Sequence, residues 1–208
     1  MVNIFEVYKK QIVKNVLILY HVTRNVNAKV IANKGMYPGM PHSEGGLASA
    51  IATNEYLENW EENEEEQARE AFDQFMNEAA MKYPNKPRHN NAVFFFSNIN
   101  DANYSKLKID SYYGAGSGKI IKVDASKINC TLWEADWHLS DRLFSECLNN
   151  LDDAQLCLEG LNESKCSRFD RLAERYYRQM KIWDGKPKPG IEVIAGCIVP
   201  KEAIVNIE

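Results

Sequence analysis

The sequence lacks the signatures of several common enzyme classes. Its four histidines form neither an HExxH motif nor a cluster with CxxC pairs, so it predicts no metal site. It contains no GxSxG nucleophile motif. Its glycines at positions 114, 116 and 118 precede a predicted strand, whereas those of a GxGxxG dinucleotide motif follow one. These absences argue against zinc hydrolases, serine hydrolases and Rossmann-type dehydrogenases.

Long apolar runs and paired cysteines are also missing. No apolar stretch is long enough to cross a bilayer, and no signal peptide is recognisable. The five cysteines are odd in number and include no CxxC pair, so we expect reduced thiols, with Cys197 packed in an apolar strand. The sequence therefore predicts a cytoplasmic location and no membrane contact.

Acidic residues are concentrated in one part of the chain. The net charge is -4, yet the segment from Glu55 to Glu78 holds ten acids against one base, Arg69. The rest of the chain is mildly basic. We interpret residues 1–208 as one domain that carries an acidic helical insert at about 55–83, and we favour a solvated helix face over a docking surface for a basic partner.

Short apolar runs alternate with helical patterns along the chain. Strands are predicted near 16–20, 92–96, 120–123, 191–199 and 203–207. The first strand leads into a short helix stopped by Gly35, and residues 134–183 are helical, with apolar stripes that predict core packing. Interleaved short strands and helices predict an α+β fold.

Three polar or aromatic residues, His21, Tyr104 and Glu192, lie at the edges of predicted strands. On their own, His21 is explained as a structural histidine and Tyr104 as a core aromatic. Glu192 stands beside Ile191 and Val193, where an acid costs desolvation unless it is exposed or functional. Function and exposure remain equally good interpretations of Glu192.

Together these residues resemble the motifs of ADP-ribosyltransferases. Residues 19–24, LYHVTR, with Gly35 behind them, are similar to the family's first motif, a strand ending in His-x-Thr before a helix that ends in glycine. Residues 92–98, AVFFFSN, followed by Tyr104, resemble the second motif of the His-Tyr-Glu branch, which includes poly(ADP-ribose) polymerases and diphtheria toxin. Residues 192–194, EVI, resemble the third, a strand that begins with the catalytic glutamate. The motifs occur in family order.

The resemblance implies a fold, a co-substrate and roles for these residues. The fold would be a split mixed β-sheet flanked by helices, and the reaction would cleave the nicotinamide-ribose bond of NAD without a metal. Glu192 would be the catalytic carboxylate, stabilising the oxocarbenium-like transition state. The residues implied to bind NAD are His21 and Thr23 at the ribose, Tyr104 stacked on nicotinamide with Phe95 and Phe96 as alternates, and Ser97.

The acceptor of ADP-ribose is predicted from the same resemblance. DarT-type bacterial toxins that modify nucleic acid, and related phage-defence enzymes, favour DNA or RNA over a protein acceptor, with an antitoxin-type protein as a further predicted partner. Lys186 and Lys188, in the proline-stiffened loop before Glu192, and Arg24, Arg69 and Arg88 are the predicted contacts. Gly190 stands where arginine-modifying members carry Gln or Glu, which argues against arginine acceptors.

Two alternatives stay open. One is an NAD-dependent RNA 2'-phosphotransferase, which shares the scaffold but relies more on arginines than on a closing glutamate. The other is a non-catalytic module of the same fold that binds NAD or a partner. Retention of Glu192 favours the transferase.

Overall fold

The computed structural model describes residues 17–38, 60–161 and 163–208. These residues form six α-helices and seven strands, so the predicted α+β class is confirmed. The helices are α1 (Asn25–Lys34), α2 (Trp60–Met81), α3 (Ile99–Tyr113), α4 (Trp137–Asn149), α5 (Leu151–Leu158) and α6 (Glu163–Gln179). The strands are β1 (Ile18–Arg24), β2 (Val93–Phe96), β3 (Gly118–Asp124), β4 (Leu132–Asp136), β5 (Lys181–Ile182), β6 (Ile191–Ala195) and β7 (Ile204–Ile207).

The strands form one sheet in the order β5-β4-β6-β2-β1-β3-β7. Every strand pair in it is antiparallel, so the prediction of a mixed sheet was wrong. An alternation of strands and helices along a sequence does not fix strand direction, which depends on how each connection returns to the sheet. β1 pairs with β3 from Ile18 to Arg24 but with β2 only at Tyr20–Phe96, so the sheet is continuous yet narrow at the β1–β2 join.

The two faces of the sheet have different coverings. Paired residues of neighbouring antiparallel strands point to the same face, and successive residues alternate. Leu19, Phe95 and Val193 point to one side, which we call the α1 face because they share a core with Ala28 and Ile31 of α1. The opposite side, the bundle face, is covered by the helices α2 to α6.

The bundle face holds two separate apolar cores. Over β4 and β6, the helices α2, α4, α5 and α6 enclose a core that includes Phe75, Leu143, Phe169 and Ile194. Over β1 and β3, α3 encloses a smaller core with Val22, Phe96, Ala102, Ile109 and Ile120. A seam between these two cores runs over the middle of the sheet.

The predicted acidic insert contributes directly to the larger core. Residues 55–59 lie outside the described residues, and the helix that follows, α2, buries Ala68, Phe72, Phe75 and Met76. Of its acidic residues that the structure places, Glu66, Glu70 and Glu78 are exposed, and Glu64 and Asp73 are half-buried. The helix is therefore amphipathic, with a solvated acidic face and a buried face that the fold requires.

Gly35 shows how α1 is fixed against the rest of the chain. The helix ends there with a backbone φ of 81°, a left-handed conformation that favours glycine. A Cβ at this position would lie 2.4 Å from the carbonyl oxygen of Val199, so a larger residue is excluded by contact as well as by conformation. The end of α1 is thereby held against the chain segment that precedes β7.

Four of the five cysteines are paired. Cys130–Cys197 joins the loop after β3 to the loop after β6, and Cys157–Cys166 joins α5 to α6. Cys147 is free and buried in the bundle, and this burial raises the pKa of its thiol to about 12. The predictions of reduced thiols and of an unpaired Cys197 in an apolar strand were wrong. β6 ends at Ala195, which leaves Cys197 in a loop.

The disulfides bear on the predicted compartment. Disulfides form and persist in oxidising surroundings, so they do not support a reducing cytoplasm. Among the described residues, no helix is both long and apolar enough to cross a membrane.

Candidate active site

The three motif segments fold into three adjacent strands. β6, β2 and β1 are neighbours at the centre of the sheet, although their residues lie far apart in the sequence. Tyr20 of β1 pairs with Phe96 of β2, and Phe96 pairs with Glu192 of β6. One row across the sheet thus contains a residue from each predicted motif.

His21 and Glu192 nevertheless point to opposite faces. Glu192 shares the bundle face with its row partners Tyr20 and Phe96. His21, one residue beyond Tyr20, pairs with Ile121, which is buried in the core of the α1 face. The sequence predicted His21 at the end of the first strand, but β1 continues to Arg24, so the alternation of the strand fixes its direction.

His21 is bound to the backbone of the neighbouring strand. The side chain is 0% exposed, and its Nδ1 lies 2.9 Å from the carbonyl oxygen of Phe94. Because a carbonyl only accepts hydrogen bonds, Nδ1 carries the proton in this pair. The imidazole ring also meets the ring of Phe95 edge-on, with centroids 6.1 Å apart. His21 therefore ties β1 to β2 beside the narrow join.

Thr23 lies on the same face as His21. Its side chain is buried, and in the part of the chain that the structure describes its Oγ1 has no hydrogen-bond partner. A buried hydroxyl without a partner costs free energy. The geometry leaves Thr23 on the side of the sheet away from Glu192.

Among the acidic side chains of the described strands, Glu192 has the largest shift in pKa. It is 4% exposed, and the Tyr176 hydroxyl of α6 donates a hydrogen bond to its Oε1 at 2.7 Å. Burial raises the pKa of Glu192 to about 7. The Tyr176 hydrogen bond opposes this rise because it stabilises the charged carboxylate, and the charge of Asp136 adds to the rise. The carboxyl group therefore changes its charge near neutral pH.

Two aromatic side chains pack beside the strand pair that contains Glu192. Phe96, which pairs with Glu192 across the strands, is 8% exposed, and the indole of Trp137 meets it edge-on at 6.2 Å. The Trp137 Nε1–H is buried and has no hydrogen-bond partner among residues 17–38, 60–161 and 163–208. Both rings pack with the α3 core, next to the seam. The site thus combines an acid, two aromatic walls and an unused donor.

Two hydrogen bonds hold the backbone of Gly190, two residues before Glu192, in place. The Gly190 carbonyl accepts a hydrogen bond from the Trp137 backbone at 3.3 Å, and the Gly190 N–H donates to Asp101 at 2.9 Å. The first residue of α4 and the first turn of α3 are therefore both joined to the residue that precedes β6.

The other predicted stacking residues lie elsewhere. Tyr104 is 51% exposed on α3, with the Lys108 ammonium group 4.9 Å from its ring centroid. The stripe of α3 that packs on the sheet contains Ala102, Ser105 and Ile109, and Tyr104 falls outside it. Phe95 points to the α1 face. Of the three predicted aromatics, Phe96 is the one that shares a face with Glu192.

Lys188 and Ser97 anchor the loop between β5 and β6. The Lys188 ammonium group lies 2.8 and 2.7 Å from the two carboxylate oxygens of buried Glu134, and 3.1 Å from Asp184. These partners, Glu134 first, raise the pKa of Lys188. The Ser97 hydroxyl donates to the Lys188 carbonyl at 3.1 Å and accepts from its N–H at 3.0 Å. Both side chains hold the loop in place, so neither is available to bind a ligand.

The remaining predicted contacts to an acceptor lie at separate positions. Lys186 is exposed in the loop before β6, and Arg88 is exposed ahead of β2. Arg24 ends β1 with its guanidinium 5.0 Å from the ring centroid of Tyr113, and Arg69 lies on α2. They belong to four different elements of the fold.

A basic groove that the sequence did not predict lies between α4 and α6. Its volume is about 450 Å³. We call it the arginine groove, and its lining consists of Arg142, Glu146, Arg168, Arg171, Leu172, Glu174, Arg175 and Arg178. The four arginines of α6 recur at intervals of three and four residues, a pattern that the sequence contains and that predicts one helix face.

Comparisons with protein-family models, with curated proteins and with solved structures found no match to this chain. In the described part of the chain, no three His, Cys, Asp or Glu side chains converge as metal ligands.

Proposed function

We propose that the protein is an NAD-dependent ADP-ribosyltransferase with Glu192 as its catalytic carboxylate. The observation that carries this proposal is the adjacency of the three motif segments, which become the central strands β1, β2 and β6. Sequence order alone does not require that arrangement. The ADP-ribosyltransferase-like character of the sheet is part of the proposal, and its narrow β1–β2 join is consistent with a split sheet.

The surroundings of Glu192 fit the chemistry of nicotinamide release. Breaking the nicotinamide-ribose bond develops positive charge on the ribose, and a carboxylate in a water-poor site stabilises that charge more strongly than one in solvent. Phe96 and Trp137 supply flat surfaces for an aromatic ring, and the unused Trp137 N–H supplies a donor. The Tyr176 hydroxyl holds the carboxylate in position.

His21 does not fit the role that the resemblance implies. Its direction away from Glu192 and its bond to the Phe94 carbonyl support a structural role in the β1–β2 join. The proposal therefore rests on Glu192, Phe96 and Trp137 and assigns no chemistry to His21 or Thr23. Tyr104, exposed on α3, is likewise left out of the site.

The test is a transfer assay with labelled NAD, comparing the wild-type protein, Glu192→Gln, and Glu208→Gln as a matched exposed control. Single-stranded DNA, RNA and lysate protein are offered separately. We expect Glu192→Gln to lower transfer at least about 100-fold, because it keeps the shape of the side chain and removes its charge. Glu208→Gln should behave like the wild type. Unchanged transfer by folded Glu192→Gln would refute the assignment.

One observation favours the non-catalytic alternative. His21 and Glu192 point to opposite faces, so the pair that the resemblance implies does not form. A module that binds NAD without cleaving it predicts saturable NAD binding by calorimetry, with no release of nicotinamide from the wild-type protein. The 2'-phosphotransferase, a toxin or phage-defence role, an antitoxin-type partner and a cytoplasmic location remain predictions from the sequence.

A further inference from the structure

The arginine groove has an excess of positive charge. Five arginines line it against two glutamates, and both glutamates have other partners: Glu174 forms an ion pair with Lys82, and the Glu146 carboxylate accepts a hydrogen bond from Asn150 at 3.4 Å. In the part of the chain that the structure describes, Arg142, Arg175 and Arg178 form no ion pair. Their charges are available to a ligand.

A rigid scaffold holds this charge in place. The inner face of α6 buries Phe169, Ala173, Tyr176 and Tyr177 in the bundle core, and this packing directs Arg171, Arg175 and Arg178 outward. At about 1.5 Å of rise per residue, these three exposed arginines span about 10 Å along the helix axis. Cys157–Cys166 joins α6 to α5 near the start of this row.

The lining chemistry distinguishes between anionic partners. A guanidinium group binds a phosphate with two parallel hydrogen bonds, and a row of such groups suits a chain of regularly spaced phosphates. Protein partners bind through buried aromatic or aliphatic anchors, whereas the one apolar residue of the groove, Leu172, is itself half-buried. Nucleic-acid interfaces are more polar and more positively charged.

We infer that the arginine groove binds the phosphate backbone of a single-stranded nucleic acid. α6 connects this surface to the proposed site, because Tyr176 contacts Glu192 from the inner face while Arg175 and Arg178 project from the outer face. A strand in the groove lies within roughly one helix diameter, about 10 to 12 Å, of the inner face. The assignment of this strand as the acceptor of ADP-ribose rests on the proposed function, but its binding does not.

The first experiment measures binding without NAD. The probes are a labelled single-stranded oligonucleotide of mixed sequence, as DNA and as RNA, and poly-glutamate of similar charge. The wild-type protein is compared with Arg171→Gln/Arg175→Gln/Arg178→Gln. The control, Lys29→Gln/Lys34→Gln/Lys201→Gln, removes the same charge from exposed positions on α1 and on the turn that packs beside it.

We expect the arginine variant to bind the oligonucleotide at least about tenfold more weakly at 50 mM salt, with a salt dependence shallower by about 2 in log–log slope, since each phosphate of a single strand contributes about 0.7. The control should match the wild type. Equal oligonucleotide binding by the wild type and the arginine variant would overturn the inference. Poly-glutamate binding as tight as oligonucleotide binding would overturn it in favour of an acidic protein.

Glu192→Gln separates this inference from the proposed function. It should bind the oligonucleotide as the wild type does and transfer no label. Binding by both proteins without transfer by either would refute the transferase and leave the groove assignment intact. Transfer that depends on Glu192 but is unchanged in the arginine variant would refute the groove as the acceptor site and leave the transferase intact.

Discussion

His21 and Glu192 are both buried polar side chains at the centre of the sheet, but their surroundings differ. On the α1 face, the Nδ1–H of His21 donates a hydrogen bond to the Phe94 carbonyl. On the bundle face, Glu192 accepts hydrogen bonds from the Tyr176 and Ser140 side chains, and burial raises its pKa to about 7. Burial of a hydrogen-bonded polar group is compatible with a stable fold, whereas burial of an acid near its titration point is costly and typical of functional sites. The surroundings of His21 are therefore those of a structural residue, whereas those of Glu192 are what the proposed function requires.

The largest expected effect concerns the disulfides, one of which lies in the core of each face. Cys130–Cys197 closes 67 residues and packs with the α1-face core, whereas Cys157–Cys166 closes 9 residues in the bundle. Replacing both cysteines of a pair by serine should lower the free energy of unfolding by about 4 kcal/mol for the first pair and about 2.5 kcal/mol for the second. Urea unfolding measures both values. A single reactive thiol, from Cys147, is expected in the denatured unreduced protein, and five would contradict the pairing.

The next effect distinguishes the two residues directly. His21→Ala should lower the free energy of unfolding by about 2 to 4 kcal/mol, because it opens a cavity and leaves the Phe94 carbonyl without its partner. Glu192→Gln should lower the free energy of unfolding much less at neutral pH, because the wild-type carboxyl group is already partly protonated there. Thermal unfolding compares the two variants. A stable His21→Ala protein that has lost NAD turnover would place His21 in the chemistry after all.

The pH dependence of stability tests whether Glu192 is buried with a raised pKa. Between the ordinary pKa of 4.5 and the folded pKa of about 7, the folded protein retains a proton on Glu192 that the unfolded chain releases. The contribution of Glu192 to stability should therefore fall as pH rises through this window, by up to about 1.4 kcal/mol per pH unit, and level off above it. Subtracting the profile of Glu192→Gln isolates this contribution, and a flat difference would contradict the buried carboxyl. Transfer should show the opposite trend, rising with pH as the carboxylate ionises.

The smallest expected effect compares two aromatics. Phe96→Leu should reduce kcat/KM for NAD about twofold to twelvefold, because stacking contributes about 0.5 to 1.5 kcal/mol. Tyr104→Leu removes an exposed ring and should change neither kcat/KM nor stability by more than about 0.5 kcal/mol. Steady-state nicotinamide release measures both variants. A larger loss with Tyr104→Leu than with Phe96→Leu would return the stacking role to α3.

Much of the fold was predictable from the sequence, because buried strands and amphipathic helices have distinct apolar patterns. The α+β class, the central strands and the helices α4 to α6 follow from these patterns, but the two ends of the region predicted as helical, 134–183, lie in the strands β4 and β5, which were missed. The face of the sheet to which His21 points did not follow from the sequence. A shift of one residue in the position of a strand moves each side chain to the opposite face. The phase of α3, by contrast, was available in the sequence, since Ala102, Ser105 and Ile109 define a stripe that excludes Tyr104.

Two other features required information that local patterns do not contain. The pairing of Cys130 with Cys197 depends on two loops that meet through the tertiary fold, and no spacing rule indicates it. The buried ion pair between Glu134 and Lys188 likewise joins a strand to a distant loop, so Lys188 looked free in the sequence. The arginine groove combines a visible and a hidden feature. The row of arginines on α6 was visible in the sequence, whereas the contribution of Arg142 from α4 depends on the tertiary fold.

The narrow β1–β2 join divides the sheet mechanically. With one residue pair between them, β1, β3 and β7 form one half-sheet, and β2, β6, β4 and β5 form the other. On the bundle face each half lies under its own core, except that Phe96 of β2 packs in the core over β1 and β3, whereas on the α1 face one core spans both halves. Elements that share few backbone hydrogen bonds separate at the lowest free energy. Phe96 and Glu192 lie beside this join, so side-chain contacts, namely the His21–Phe94 hydrogen bond and the α1-face core, hold the two halves together next to the proposed site.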